Sequence, residues 1–274
     1  MTEVLDAFDI PKDERNQVLF HALQLQGSGT STTSRKERTT IDPPSLILPP
    51  YFTALDPNSN DDLDAYACEY LQHERLISPT EYPFLIGRKS PHPESKKWYA
   101  RLIIPIYKDN DLIFYFGRDL SGTRVKKYMS PDVPRDNVLY GFNHMFEDIP
   151  EPLYVAEGWF DVYRLGGVAV FGNRMTAGQI AWLNRTPRQK VVIPDRFGDG
   201  HLLAEQAIEL GWGVSTPDIG ECKDVNEAMV KYGEVFTRLS IKKHTYTDFE
   251  ALVRTQTYCK NEPRTGKTTH QPPH

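Results

Sequence analysis

Cysteine is scarce in this chain of 274 residues: Cys68, Cys222 and Cys259 are the only three, far apart and without a C-x-x-C pair. They read as reduced, intracellular thiols and not as a disulfide framework. No apolar run reaches membrane-spanning length and no signal peptide is evident, so the expectation is a soluble cytoplasmic protein. An excess of positive charge is absent too. Thirty-two Lys and Arg stand against 37 Asp and Glu, a net charge of −5, which argues against a strongly basic nucleic-acid coat but leaves room for a local basic patch. No G-x-G-x-x-G follows a strand-like run, so a dinucleotide site is not expected. The length suffices for one large or two modest domains with an ample core.

What is present centres on Leu153–Glu227. Three apolar, β-branched runs (Leu153–Ala156, Val168–Phe171, Val191–Pro194) alternate with helix-like segments, the pattern of βαβ units feeding a mostly parallel sheet. Functional groups in such sheets gather beyond the carboxyl ends of the strands. Glu157 follows the first run, Asp195 the third, and Asp224 opens the helix after Val214–Pro217. Acids brought to one sheet edge repel one another, and hard divalent cations relieve that repulsion. Asp161, four residues after Glu157, either supports it from the same helix face or is a plain surface acid.

Upstream, Trp98–Tyr128 reads as a hairpin: a strand from Arg101, a turn at Lys108–Asp111, a second strand DLIFYFGRDL, then KKYMSP. Asp61–Leu76 reads as a helix capped by Asp61 or Asp62. Glu3–Gln26 suggests one or two short helices, and Gly27–Pro50, with its RKER insert, a linker. Tyr246–Val253 suggests a short helix, and Cys259–His274 a polar, disordered tail. The GKTT in that tail lacks the glycine and the strand that a phosphate loop requires.

The strings EGWFDV, PDRFGDG and KDVNE, with FGNRMTAGQI between the first two, resemble the TOPRIM domain shared by DnaG-like primases, type IA and II topoisomerases and some nucleases. The hairpin adds a resemblance to the primases in particular. Arg101, Gly117-Arg118, Lys127-Tyr128 and Leu139-Tyr140-Gly141 stand in the order of that family's pattern. The resemblance implies an α/β chain: a TOPRIM domain, a mostly parallel sheet flanked by helices, preceded by a small α+β basic subdomain. The expected division is an arm and linker over 1–50, the basic subdomain over 51–150, the TOPRIM domain over 151–244, and a helix and tail over 245–274.

The same resemblance implies a function. Glu157, Asp195 and Asp224 would be catalytic. Glu157, Asp195, Asp199, Asp224 and Asn226 would hold Mg²⁺ or Mn²⁺. Arg101, Arg118, Lys127 and Lys223 would hold template and nucleoside triphosphate phosphates. The activity would be template-directed synthesis of short RNA primers on single-stranded DNA. The family's zinc module needs four closely spaced Cys or His ligands. Residues 1–50 offer only His21, so no zinc site is expected there, and a replicative helicase and a separate zinc-binding or template-recognition protein are the expected partners. The KDVNE string resembles phage-like members, which implies a bacterial host cytoplasm.

The second motif departs from the family: Phe197 stands where the second Asp of Asp-x-Asp belongs. Either Asp199 takes its place through the flanking glycines, or the site works with fewer carboxylates, or it is catalytically weak. The alternatives are therefore a TOPRIM nuclease and a degenerate TOPRIM protein that binds nucleic acid or a polymerase. A topoisomerase would need a tyrosine domain for which the chain has no room.

Overall fold

Leu102, Ile104 and Ile106 alternate with Ile103 and Pro105 along β3 (Arg101–Lys108), and this period of two organises the first sheet. In the computed structural model, which describes residues 42, 43 and 45–260, β3 pairs antiparallel with β4 (Asp111–Asp119), setting Ile104 against Phe116 and Ile106 against Phe114. The chain reverses through Asp109, at a φ of +55° that a short Asp tolerates. β1 (Phe52–Ala54) and β2 (Leu85–Gly87) extend the sheet on one side and β5 (Tyr128–Met129) on the other, in the order β1-β2-β3-β4-β5. Even-numbered β3 side chains face the main core, whereas Ile103 meets Phe52, Trp98, Leu112 and Tyr115 on the opposite face. Both faces are covered, which is why these strands read as apolar runs.

The helix expected over Asp61–Leu76 is α only in its first part, α1 (Asp62–Glu69), capped by the Asp61 carboxylate on the amides of Leu63 and Asp64. It then widens into a π-helical stretch (Tyr70–Glu74), and Leu76 leaves it at a φ of +54°. The short α2 (Ser95–Trp98) precedes β3.

The second sheet has the order β10-β9-β8-β6-β7. Strands β6 (Leu153–Ala156), β7 (Val168–Ala169), β8 (Lys190–Ile193) and β9 (Gly213–Ser215) run parallel, and β10 (Thr245–Tyr246) is antiparallel at the edge. From β6 the chain passes through α3 (Trp159–Tyr163) to β7 on one side. From β8 it passes through α5 (Gly200–Glu209) to β9 on the other. The crevice between β6 and β8 is thus a topological switch point, where open α/β sheets place their ligands.

Between β7 and β8 lies α4 (Ala177–Leu183), opened by a reciprocal capping box of Thr176 and Gln179. Gln179 also donates to the carbonyls of Val138 and Val170, at 2.7 and 2.9 Å, which ties the segment between the sheets to the parallel sheet. One contiguous apolar cluster runs from Ile104 and Phe114 through Leu139 and Trp159 to Val192 and Leu203.

After β9 come α6 (Val225–Tyr232), α7 (Glu234–Lys243) and α8 (Asp248–Lys260). The last corrects the sequence reading. A helix was expected to Val253 and a polar tail from Cys259, yet α8 spans 13 residues and buries Leu252, Val253, Thr255 and Cys259. Its interior is small and partly polar, so the apolar periodicity is weak although the face packs against α5 and β9. The helices expected in Glu3–Gln26, the RKER run and GKTT lie outside the described residues.

Candidate active site

Three strand ends and one hairpin converge on a cavity of about 450 Å³. Glu157 arrives directly after β6 and Asp195 two residues after β8. Asp161 comes from α3, and Asp224 is the N-cap of α6, its Oδ1 accepting the Glu227 amide at 2.8 Å. All four carboxylates line the cavity together with Arg75, Arg118, Lys127 and Lys223.

Two glycines make the approach possible. A Cβ on Gly158 would stand 2.5 Å from Asp161 Oδ2. A Cβ on Gly200 would overlap the Asp195 carbonyl. Any side chain at either position would push a carboxylate out of place.

The acids perturb one another. Burial, then repulsion from Glu157 and Asp224, pushes Asp195 up to about 7. Burial and Asp199 raise Glu157. Asp161 is held well above the usual carboxylate range by burial and by Asp224 and Asp195, with Arg75 and the Asn226 amide acting the other way. Its Oδ1 is buried with no hydrogen-bond partner. Such a set of hard oxygens, repelling and partly unsatisfied, suits a divalent cation. Among the described residues, however, no three His, Cys, Asp or Glu side chains stand close enough to hold a metal as they are. A cation would have to draw the carboxylates together.

The structure separates the residues expected at the site. Glu157, Asp195, Asp224, Arg118, Lys127 and Lys223 come together. Arg118 lies over the rings of Tyr70 and Tyr128, and its Nε is buried without a partner. Lys223 Nζ is 3.8 Å from Asp224 Oδ2.

Arg101, expected in the groove, is a correction. It is 2% exposed, and its guanidinium donates to the carbonyls of Lys97, Gly117, Lys126 and Lys127. With its donors spent on backbone oxygens, it holds β5 to the hairpin and is not free for phosphate.

Asn226, expected as a metal ligand, is a second correction: it is fully buried, and its Oδ1 accepts from Arg75 Nη1 at 2.7 Å. Asp199 is not part of the lining; it accepts from Asn173 at 3.3 Å and reaches Glu157 only through its field. Phe197 lines the cavity itself.

Sequence reasoning missed Arg75 and left Asp161 undecided. Arg75 is 8% exposed, donates to the Tyr70 hydroxyl at 2.8 Å and lies 4.5 Å from the Phe160 ring centroid. Nothing in its local sequence marks it, because Asn226, Phe160 and Asp161 reach it only through the fold. Asp161 was visible from its spacing to Glu157, but only its place in the cavity lining shows that it belongs to the acidic wall. Arg196 does not pair with either acid beside it; it donates to the Gly220 and Cys222 carbonyls, fastening the β8 loop to the segment that carries Asp224.

No protein-family model and no curated protein matches the chain. Solved structures do. The RNA polymerase domain of Mycobacterium tuberculosis primase DnaG superposes on 71% of this chain and 81% of its own, with a TM-score of 0.56 and 19% identity. The E. coli primase catalytic core matches over 72% and 78%, with a TM-score of 0.53 and 19% identity. A DnaG primase catalytic domain bound to single-stranded DNA matches over 70% and 77%, with a TM-score of 0.53 and 20% identity. The chain has the fold of a TOPRIM-containing DnaG catalytic core.

Proposed function

We propose that this protein is a primase, joining ribonucleotides on a single-stranded DNA template. The observation that carries the reading is the meeting, in one cavity, of carboxylates from the ends of parallel strands with cations from an antiparallel sheet. Nucleotidyl transfer needs both kinds of group. Divalent cations, when bound, neutralise the triphosphate and lower the pKa of the attacking 3′-hydroxyl. In this reading Glu157, Asp161, Asp195 and Asp224 hold Mg²⁺ or Mn²⁺. Glu157, directly after β6, is the candidate to accept the 3′-hydroxyl proton.

Arg118, Lys127 and Lys223 receive phosphate, Arg118 through a planar fork and the lysines as point charges. Arg75, already committed to Tyr70 and Asn226, holds the third motif against the acidic wall. The basic part would span 51–150 and the TOPRIM part 151–244. The occurrence of the same fold on single-stranded DNA in a DnaG domain supports that template class. A helicase and a separate zinc-binding or template-recognition protein would supply template choice, in the cytoplasm. No helix among the described residues is long and apolar enough to cross a membrane.

A second reading, a degenerate TOPRIM protein that binds nucleic acid without catalysis, is favoured by one observation. Phe197 lines the cavity where a further acid is expected.

Primer synthesis on mixed-sequence single-stranded DNA, with labelled ribonucleotides and Mn²⁺, separates the two. Short RNA from the wild type that is lost in Glu157→Gln supports the primase. Cleaved template without RNA would make the protein a nuclease. No product, together with no Mn²⁺ binding by calorimetry, would leave the degenerate binder.

A further inference from the structure

The chemistry above uses the carboxylates and cations of the cavity and leaves its aromatic lining without a task. Phe114, Phe116, Phe171 and Phe197 line the same space. Phe114 and Phe116 belong to β4 and are buried in the core. Phe171 differs from them in two respects.

Its backbone is left-handed, with a φ of +57° that bulky side chains rarely adopt. The next residue, Gly172, could take such a conformation without strain, yet the strain sits on the phenylalanine. The conformation is held from both sides. The Phe171 amide donates to the Glu157 carbonyl at 3.0 Å, and Arg135 donates to the Phe171 carbonyl at 3.2 Å. Strain of this kind persists only where the surroundings over-determine it, and it clusters at functional sites.

Second, the ring is only half-buried. It leans on Phe114 and Phe116, with centroids 5.6 and 5.5 Å away, so its position is fixed while part of it remains open to the cavity. The bond to the Glu157 carbonyl ties this ring to the residue proposed to receive the 3′-hydroxyl proton. A nucleotide presents two surfaces to a protein: phosphates, which cations hold, and a base, whose flat face every aromatic ring can stack against. The cavity offers cations for the first and, among its half-buried rings, Phe171, whose amide is bonded to Glu157, for the second.

We propose that Phe171 is the platform on which the base of a bound nucleoside triphosphate stacks, presented to the cavity by its left-handed backbone. The assignment rests on the primase reading and deepens it. The strain places the ring, and the Glu157 and Arg135 contacts keep it there.

Calorimetric titration of the full chain in Mg²⁺ tests it with two probes, a ribonucleoside triphosphate and inorganic tripolyphosphate, which lacks a base. Phe171→Ala and Phe171→Leu should weaken the nucleotide roughly 5- to 100-fold, the range that stacking of one base spans. Phe171→Trp should retain it. Tripolyphosphate affinity should stay within about twofold in all three, since no phosphate contact changes. Leu keeps apolar bulk against Phe114 and Phe116, so a nucleotide-specific loss in a Leu variant with a wild-type melting temperature isolates stacking from packing.

Equal losses for both probes would overturn the assignment and make Phe171 a packing residue. Nucleotide affinity unchanged in Phe171→Ala and Phe171→Leu would overturn it alone, leaving the primase reading intact. A wild-type protein that binds neither probe would overturn both.

Discussion

The two sheets use their charged residues differently. In the antiparallel sheet, partners are sequence neighbours, and a cation can be consumed by the hairpin that carries it: Arg101 makes four hydrogen bonds to the carbonyls of Lys97, Gly117, Lys126 and Lys127. Arg118, on the paired strand and in register with Leu102, keeps its guanidinium for the cavity. In the parallel sheet all carboxyl ends share one edge, so acids distant in sequence meet there. Glu157 and Asp195 make no side-chain hydrogen bond that would serve the fold at the cost of the site. Asp224 and Asp161 do both: Asp224 caps α6 and Asp161 accepts the Asn226 backbone amide, while each faces the cavity. The antiparallel part spends charge on structure, and the parallel part accumulates charge against it.

The sharpest way to break that contrast is to neutralise the acids. Glu157→Gln and Asp195→Asn should each lower primer synthesis by about 100-fold or more. Both should leave the melting temperature unchanged or raised, because each removes repulsion; a lower melting temperature would count against the contrast.

Next come the two arginines. Arg101→Ala strands several buried carbonyls and should destabilise the fold by roughly 3 kcal/mol in denaturant titration. Arg118→Ala should leave stability within about 1 kcal/mol while raising KM for nucleoside triphosphate several-fold. Reversal of these two outcomes would reinstate Arg101 as the phosphate ligand.

Third, Arg75→Met removes the cation bonded to Tyr70 and Asn226 and should cost about 2–4 kcal/mol, with a further rise in the Asp161 pKa.

The smallest expected effect is on pH. Asp195, Glu157 and Asp161 have folded-state pKa values above their ordinary ones. A carboxyl of that kind binds its proton more tightly in the folded protein, so it favours folding at low pH. That advantage fades as pH rises from the unfolded carboxylate value through about 7, where Asp195 ionises. Without divalent cation the melting temperature should fall between about pH 5 and pH 8, and Mg²⁺ should flatten the slope. A flat profile in chelator would mean that the acids do not press on one another.

Much of this was legible before the fold. The β-branched runs announced the parallel strands, and the EGWFDV, PDRFGDG and KDVNE strings pointed to Glu157, Asp195 and Asp224. The apolar runs on either side of the Lys108–Asp111 turn announced the hairpin. The errors share one cause. Arg101 and Asn226 were judged by position in a motif and Asp199 by the freedom of the glycines beside it, but whether a polar side chain is free depends on the acceptors or donors that surround it. Arg101 meets backbone carbonyls, Asn226 meets Arg75 from 151 positions away, and Asp199 meets Asn173. The end of α8 was misjudged because its buried face is built from Thr255 and Cys259, which carry little apolar signal.

Local pattern was enough for the strands, the hairpin and the order of the acidic motifs, because alternation and turn chemistry act over a few residues. Placement at the site was not local. The parallel pairing of β6 with β8 at a switch point brings Glu157 beside Asp195, the π-helical stretch delivers Arg75 to Asn226, and a left-handed Phe171 joins the same cavity. These are long-range contacts, and only the packing of the whole chain settles which charges are spent and which remain available.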